Sequence, residues 1–330
     1  MFTQLPDLAS RALGGSVLYA NDESFAEKEC LIRASDPVFV PENFGNKGQI
    51  YDGWETRRRR EPGFDFAVIR LGVPGTVRGV VIDTAYFKGN FPPQCSVEGA
   101  CVEGYPSIEE LLKADWKPLV SREPIEGHTE NAFAVDSAER VTHVRLIMHP
   151  DGGVARLRVH GEPRPDLKEF ADLPLDLAAV ASGGRCLESS NTFYSDANNT
   201  LLPGHANHQA DGWETGRRRG EGNDWMRLRL AGRGTVDVVE VDTSHMKFNA
   251  PGEVRLRGFD AESGKSMEDD SAWFDILPRT RVQPDGLHRF RVRDMPPATH
   301  AHLDIYPDGG IARLRMIGML TPEARAALGA

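Results

Sequence analysis

No Cys-x-x-Cys pair occurs among the four cysteines, Cys30, Cys95, Cys101 and Cys186. That excludes a disulfide scaffold and the common cysteine-based zinc spacings, and leaves isolated thiols suited to a reducing compartment. No stretch approaches the roughly 18 uninterrupted apolar residues of a membrane-spanning helix, so no membrane partner is expected. The opening MFTQLPDLASRALGG lacks a basic flank followed by an apolar run, and a cytoplasmic location is the expectation. Positive charge is in deficit: Lys+Arg 39 against Asp+Glu 49 leave a net charge of −10, which argues against nucleic acid or an anionic membrane as the main partner. Also missing are a Gly-rich phosphate loop, a Gly-x-Ser-x-Gly elbow and a His-Glu-x-x-His motif. Helix signals are few. Ser107 to Leu112 opens as a capping box, and Thr321 to Leu328 has the composition of a terminal helix.

What is abundant is turn-forming residues, 33 Gly and 22 Pro, and a long internal repeat. Asp52-Gly53-Trp54-Glu55-Thr56 returns as Asp211-Gly212-Trp213-Glu214-Thr215, 159 residues later. At the same displacement Arg58, Arg59 and Arg60 fall on Arg217, Arg218 and Arg219, Asp65 on Asp224, and Asp83-Thr84 on Asp242-Thr243. Lys88 and Asn90 fall on Lys247 and Asn249. Near the start, Asp7-Leu8-Ala9 matches Asp176-Leu177-Ala178 at a displacement of 169, so the first copy carries ten extra residues before its Trp motif. Pro150-Asp151-Gly152-Gly153 and Ala155-Arg156-Leu157-Arg158 match Pro307-Asp308-Gly309-Gly310 and Ala312-Arg313-Leu314-Arg315. A period of this length is a domain, not a solenoid unit. The expected organisation is a first domain over 1–163, a Pro-rich linker over 164–172 and a second domain over 173–330.

Positions apolar in both copies at alternating spacing mark strand faces. Ala67, Ile69 and Leu71 match Met226, Leu228 and Leu230, and Val80 and Ile82 match Val239 and Val241. Val144, Leu146 and Met148 match Ala301, Leu303 and Ile305. Asp-Gly between two such runs predicts a hairpin at residues 150–153, with Arg156, Arg158, Arg313 and Arg315 pointing away from the core. The fold class that follows is all-β: two tandem homologous β-sandwich domains with jelly-roll connections and few short helices.

Three clusters could carry chemistry. Glu55 and Glu214 sit among arginines, and Arg58, Arg59, Arg217 and Arg218 either clamp a small carboxylate or pair with Asp52 and its neighbours. Asp83 and Asp242 either cap a following loop or act with Lys88, Asn90, Lys247 and Asn249 on a polar substrate. His149, where the second copy has Tyr306, and His245, where the first has Tyr86, are candidate proton carriers. His205 and His208 have a metal-like spacing without a third ligand nearby. Cys95 falls on Val254, which argues against a nucleophilic thiol. Divergence at Tyr86/His245 and His149/Tyr306 favours one functional site per chain over two equal ones.

The segments Asp7-Leu8-Ala9-Ser10, Tyr51-Asp52-Gly53-Trp54-Glu55-Thr56-Arg57-Arg58-Arg59, Asp83-Thr84-Ala85-Tyr86-Phe87-Lys88-Gly89-Asn90 and His149-Pro150-Asp151-Gly152-Gly153-Val154-Ala155-Arg156-Leu157-Arg158 together resemble the allantoicase family. The resemblance extends over nearly the whole chain through the duplicate set. It implies galactose-binding-like jelly rolls, a homo-oligomer, and hydrolysis of allantoate to (S)-ureidoglycolate and urea in allantoin and purine degradation. Its metal dependence is open, with manganese the candidate divalent ion. On this reading Glu55, Asp83, His149, Glu214, Asp242 and His245 are the candidates for proton transfer. Arg58, Arg59, Lys88, Asn90, Arg156, Arg217, Arg218, Lys247, Asn249 and Arg313 are the candidates for holding the substrate. The alternative is a non-catalytic tandem β-sandwich that binds a small ligand or carbohydrate.

Overall fold

The computed structural model describes residues 2–327. The chain divides into two compact units, Met1–Arg164 and Pro165–Ala330. In the first, strands run in the order Ser16–Ala20, Asp65–Asp83, Arg140–His149, Gln94–Ala100 and Lys117–Pro124, and Arg156–Pro163 and Glu130–Ala134 also pair with Asp65–Asp83. The second repeats this plan on Asp224–Asp242, which pairs with Arg185–Ser189, Leu287–Arg291, Ala298–Tyr306 and Arg313–Leu320.

One strand of 19 residues organises each sandwich. Residues Ala67–Arg70 of the first pair with Ser16–Ala20, while Gly75–Asp83 pair with Arg156–Pro163. The change comes at Leu71-Gly72-Val73-Pro74-Gly75, where Pro74 has no N–H to offer and the Gly72 N–H turns to the Leu8 carbonyl at 2.7 Å. A single strand therefore serves both layers. Ala67, Ile69, Val80, Ile82, Val144, Leu146 and Met148 are fully buried, as are their counterparts from Met226 to Ile305, so the alternation read from the two copies is the core.

One expectation fails. The segment Pro150–Gly153 is not a hairpin: Arg140–His149 and Arg156–Pro163 both pair with Asp65–Asp83 rather than with each other, and Gly153–Val154 between them pairs with Trp54–Glu55. Tertiary bonds claim the turn. The Asp151 carboxylate accepts the Arg59 N–H at 2.7 Å, and the Gly152 carbonyl accepts the Thr56 N–H at 3.0 Å. On the following strand Arg156 is 1% and Arg313 6% exposed. They do point away from the apolar core, but loops cover them.

The helices are short. Ile108–Leu112 starts with both halves of its capping box, and the terminal helix is Pro322–Ala327, with Leu328 outside the described residues. No helix among the described residues is long and apolar enough to cross a membrane.

Close approach explains Gly53. A Cβ there would lie 2.7 Å from the Phe87 ring and 2.7 Å from the Val154 carbonyl oxygen. Gly53→Ala is expected to cost about 1–3 kcal/mol, because backbone on the opposing strand must move. Thermal denaturation checks this; an unchanged Tm would show that the strand pair yields freely.

Candidate functional site

Trp54–Glu55 is only two residues long, yet it is firmly held. Strand alternation buries Trp54 completely, where its indole N–H donates to the Asp22 carbonyl at 2.8 Å, and turns Glu55 the other way. The Asn90 amide donates to Glu55 Oε1 at 2.7 Å, and the Asn90 carbonyl accepts the Gly153 N–H at 2.7 Å. The second copy reproduces this pair: Asn249 donates to Glu214 Oε1 at 2.7 Å and accepts the Gly310 N–H at 2.8 Å. Two predicted clusters, from the Trp motif and from the Asp-Thr loop, thus meet on the same carboxylate in each repeat.

The copies differ at the other oxygen. In the second repeat Gln209 donates to Glu214 Oε2 at 2.5 Å. The equivalent position in the first repeat is Ile50, which has no amide to offer. Burial raises the Glu55 pKa above the ordinary glutamate value, against the opposing pull of the Asn90 hydrogen bond. Glu55 is therefore a half-buried carboxyl that holds its proton more tightly than an ordinary glutamate, with no hydrogen bond to Oε2 among the described residues.

An aromatic wall stands beside it in the first repeat alone. Tyr51 stacks on Phe87 at 4.9 Å and Phe39 on Tyr86 at 5.4 Å, with Phe39 and Tyr51 5.2 Å apart. Ala210, His245 and Met246 replace Tyr51, Tyr86 and Phe87 in the second repeat. Tyr86 and His245 both take φ of 69°, in the left-handed region. The Tyr86 N–H is held by His128 Nδ1 at 2.8 Å and the His245 N–H by the Asp285 carboxylate at 2.8 Å.

Asp83 and Asp242 act as loop caps: each accepts a backbone N–H two residues on, from Ala85 at 2.7 Å and Ser244 at 2.8 Å. Burial nevertheless raises the Asp83 pKa, outweighing that N–H and the charges of Arg158 and Arg156. His149 is elsewhere, with Nε2 3.0 Å from Ser96 Oγ and its ring against Phe64. Burial, helped by the Arg122 charge, pushes its pKa down. His245 is exposed, and its Nε2 reaches the Ala206 carbonyl at 3.0 Å.

The arginines split by role. Arg156 Nη2 pairs with Asp52 Oδ2 at 2.7 Å, and its other nitrogens donate to the Ser35, Asp52 and Ala155 carbonyls. Arg313 likewise donates to the Gly204, Asp211 and Ala312 carbonyls. Arg59 binds the fully buried Asp65 at 2.6 Å, and Arg218 binds Asp224 at 2.5 Å. All four therefore make ion pairs or hydrogen bonds within the fold. Arg58, Arg217, Lys88 and Lys247 are exposed and have no hydrogen bond or ion pair among the described residues. The retained pairs Arg59/Asp65 and Arg218/Asp224 were the available signal, since both members recur at the same displacement.

Among the described residues no group of three or more His, Cys, Asp or Glu is placed to hold a metal ion. His208 pairs instead with Asp211 at 3.3 Å, and His205 is exposed. The donor set does not fit a resident divalent ion.

Residues 6–164 and 175–321 match the family described as "Allantoicase repeat". A "Probable allantoicase" from Nocardia farcinica is 50% identical over 322 residues, covering 97% of this chain and 95% of the relative. Another from Streptomyces avermitilis is 50% identical over 340 residues, covering 99% and 89%. The crystal structure of allantoicase from Saccharomyces cerevisiae superposes with a TM-score of 0.81 at 32% identity, covering 96% of this chain and 93% of that one.

Proposed function

The chain belongs to the allantoicase family and hydrolyses allantoate to ureidoglycolate and urea; we propose that the reaction runs in the first repeat, on Glu55 and Asn90. The observation that carries this is the Glu55 carboxyl itself. It is half-buried, held on one oxygen by Asn90, and raised in pKa by burial.

Allantoate carries two ureido groups and a carboxylate on one carbon. Neutral Glu55 donates its proton to one ureido nitrogen as the C–N bond to that nitrogen breaks, and urea leaves. The lone pair of the remaining ureido nitrogen forms a C=N⁺ bond to the same carbon. Water then adds to that carbon and gives its proton to the Glu55 carboxylate, which restores the neutral acid. One carboxyl thus serves both half-reactions, as acid and then as base. Asn90 occupies Oε1 and so keeps the moving proton on Oε2. Lys88, two residues from Asn90 and without an ion-pair partner, supplies positive charge for the substrate carboxylate. Asp83 and the aromatic wall position this loop, and no step is routed through a metal.

The pH profile tests the assignment. The protonated acid breaks the bond, so kcat should fall as pH rises through a value above the ordinary glutamate range. A profile with no such alkaline limb would remove Glu55 as the acid.

A further inference from the structure

A cavity of about 560 Å³ opens in the second repeat, apart from the Glu214–Asn249 pair. Its wall carries Phe193 and Tyr194, 74% and 63% exposed, with rings edge to face 4.8 Å apart. Arg217 and Arg219 also line it, exposed and without a hydrogen bond or ion pair among the described residues. The floor is the pair of Arg218 with Asp224, at 2.5 Å. Ser190 Oγ also donates to the Asp224 carboxylate, at 2.9 Å. That pair is neutral, which leaves two guanidinium groups in excess beside two rings. Arg218 Nε and Asp224 Oδ2 are buried there without a hydrogen-bond partner.

The first repeat lacks this combination at the equivalent loop. Trp54 and Trp213 donate to the carbonyls of Asp22 and Asn191, which makes those two residues counterparts. In the first repeat Asp22 binds Arg57 at 3.3 Å. In the second, Asn191 and Gly216 stand at those positions, so that acid and that base are both gone. Ser24 is replaced by Phe193. The second copy has thus lost a whole ion pair, which leaves the charge of its arginine run unchanged, and gained an exposed ring beside it.

Exposed rings offer a stacking face, and paired guanidinium forks match the oxygens of a phosphate or carboxylate. The volume lies in the range of small-ligand pockets. We propose that this cavity is a second binding site for a mononucleotide-sized anion, with a planar ring on Phe193 and Tyr194 and its charge on Arg217 and Arg219. This goes beyond the reaction in the first repeat and does not depend on it, because binding is measured without allantoate.

The test is calorimetric titration of the full chain with AMP, adenosine and ribose 5-phosphate. AMP should bind at least about tenfold more tightly than either fragment, since each lacks one half of the recognition. Arg217→Ala/Arg219→Ala and Phe193→Ala/Tyr194→Ala should each weaken AMP by at least about tenfold, whereas Arg58→Ala/Arg60→Ala should not. Unchanged melting curves would show that these surface variants stay folded; a variant that unfolds is replaced by Arg217→Gln/Arg219→Gln or Phe193→Leu/Tyr194→Leu. Absence of AMP binding to the wild-type chain would overturn the proposal. So would binding that survives both second-repeat variants, or that is lost with the first-repeat pair.

Discussion

Glu55→Gln is expected to slow urea release from allantoate by about 10²–10⁴-fold, the usual contribution of a positioned acid or base. Glu214→Gln is expected to keep most of the activity, because Gln209 and Asn249 already hold both oxygens of Glu214. The Glu55 variant should fold at least as well as the wild type at neutral pH. Burial raises the Glu55 pKa, so the folded state disfavours its charge, and that cost grows as pH rises past the unfolded value and through the folded one. Glutamine removes the charge and can still accept the Asn90 amide. Loss of rate without loss of Tm separates a catalytic role from a structural one. Full activity in both variants would sink the glutamate mechanism, and equal loss in both would replace one site per chain with two.

Asp52→Ala is expected to destabilise the first repeat by about 3–5 kcal/mol, as breaking a buried ion pair from one side does. For a domain of this size that lowers Tm by on the order of 10 °C. Arg156, at 1% exposure, would lose the one carboxylate that hydrogen-bonds it, leaving carbonyls and the longer-range charge of Asp83. Burial works against ionising Asp52, but hydrogen bonds from Arg156 and the Val38 N–H, with the Arg156 and Arg33 charges, hold its pKa below the ordinary aspartate value. This stabilisation is therefore present above the unfolded pKa and lost as pH falls through the depressed folded one. Wild type and variant should converge in Tm as acid is added. Asp52→Ala/Arg156→Met should recover much of the loss, since it leaves no unpaired buried charge. Strictly additive losses in the double variant would show that the pair is not coupled.

The two copies share a frame and differ around it. Both keep the Glu–Asn pair at 2.7 Å, so the frame is duplicated to the level of one hydrogen bond. What has diverged lies around it: Ile50 against Gln209, Tyr51 against Ala210, and Asp22 against Asn191. Those exchanges leave one oxygen of the carboxylate unheld in the first copy and hold both in the second, where an Asp–Arg pair beside the arginines is also absent.

The sequence alone determined the duplication, the strand faces and the membership of Glu55, Asp83 and Asn90 in recurring motifs. These features are local or periodic, so a strand buries every second residue whatever it pairs with, and a repeat shows by direct comparison. Tertiary structure decided which partner each charge takes. Asp52 finds Arg156 across 104 positions and Arg59 finds Asp151 across 92, in both cases because a two-residue strand is pressed against the turn at Gly153. The same long-range closure turned a predicted hairpin into a clasp and gave Arg59, Arg156, Arg218 and Arg313 partners within the fold. Such choices depend on distance and solvent exclusion in three dimensions, which no spacing along the chain encodes.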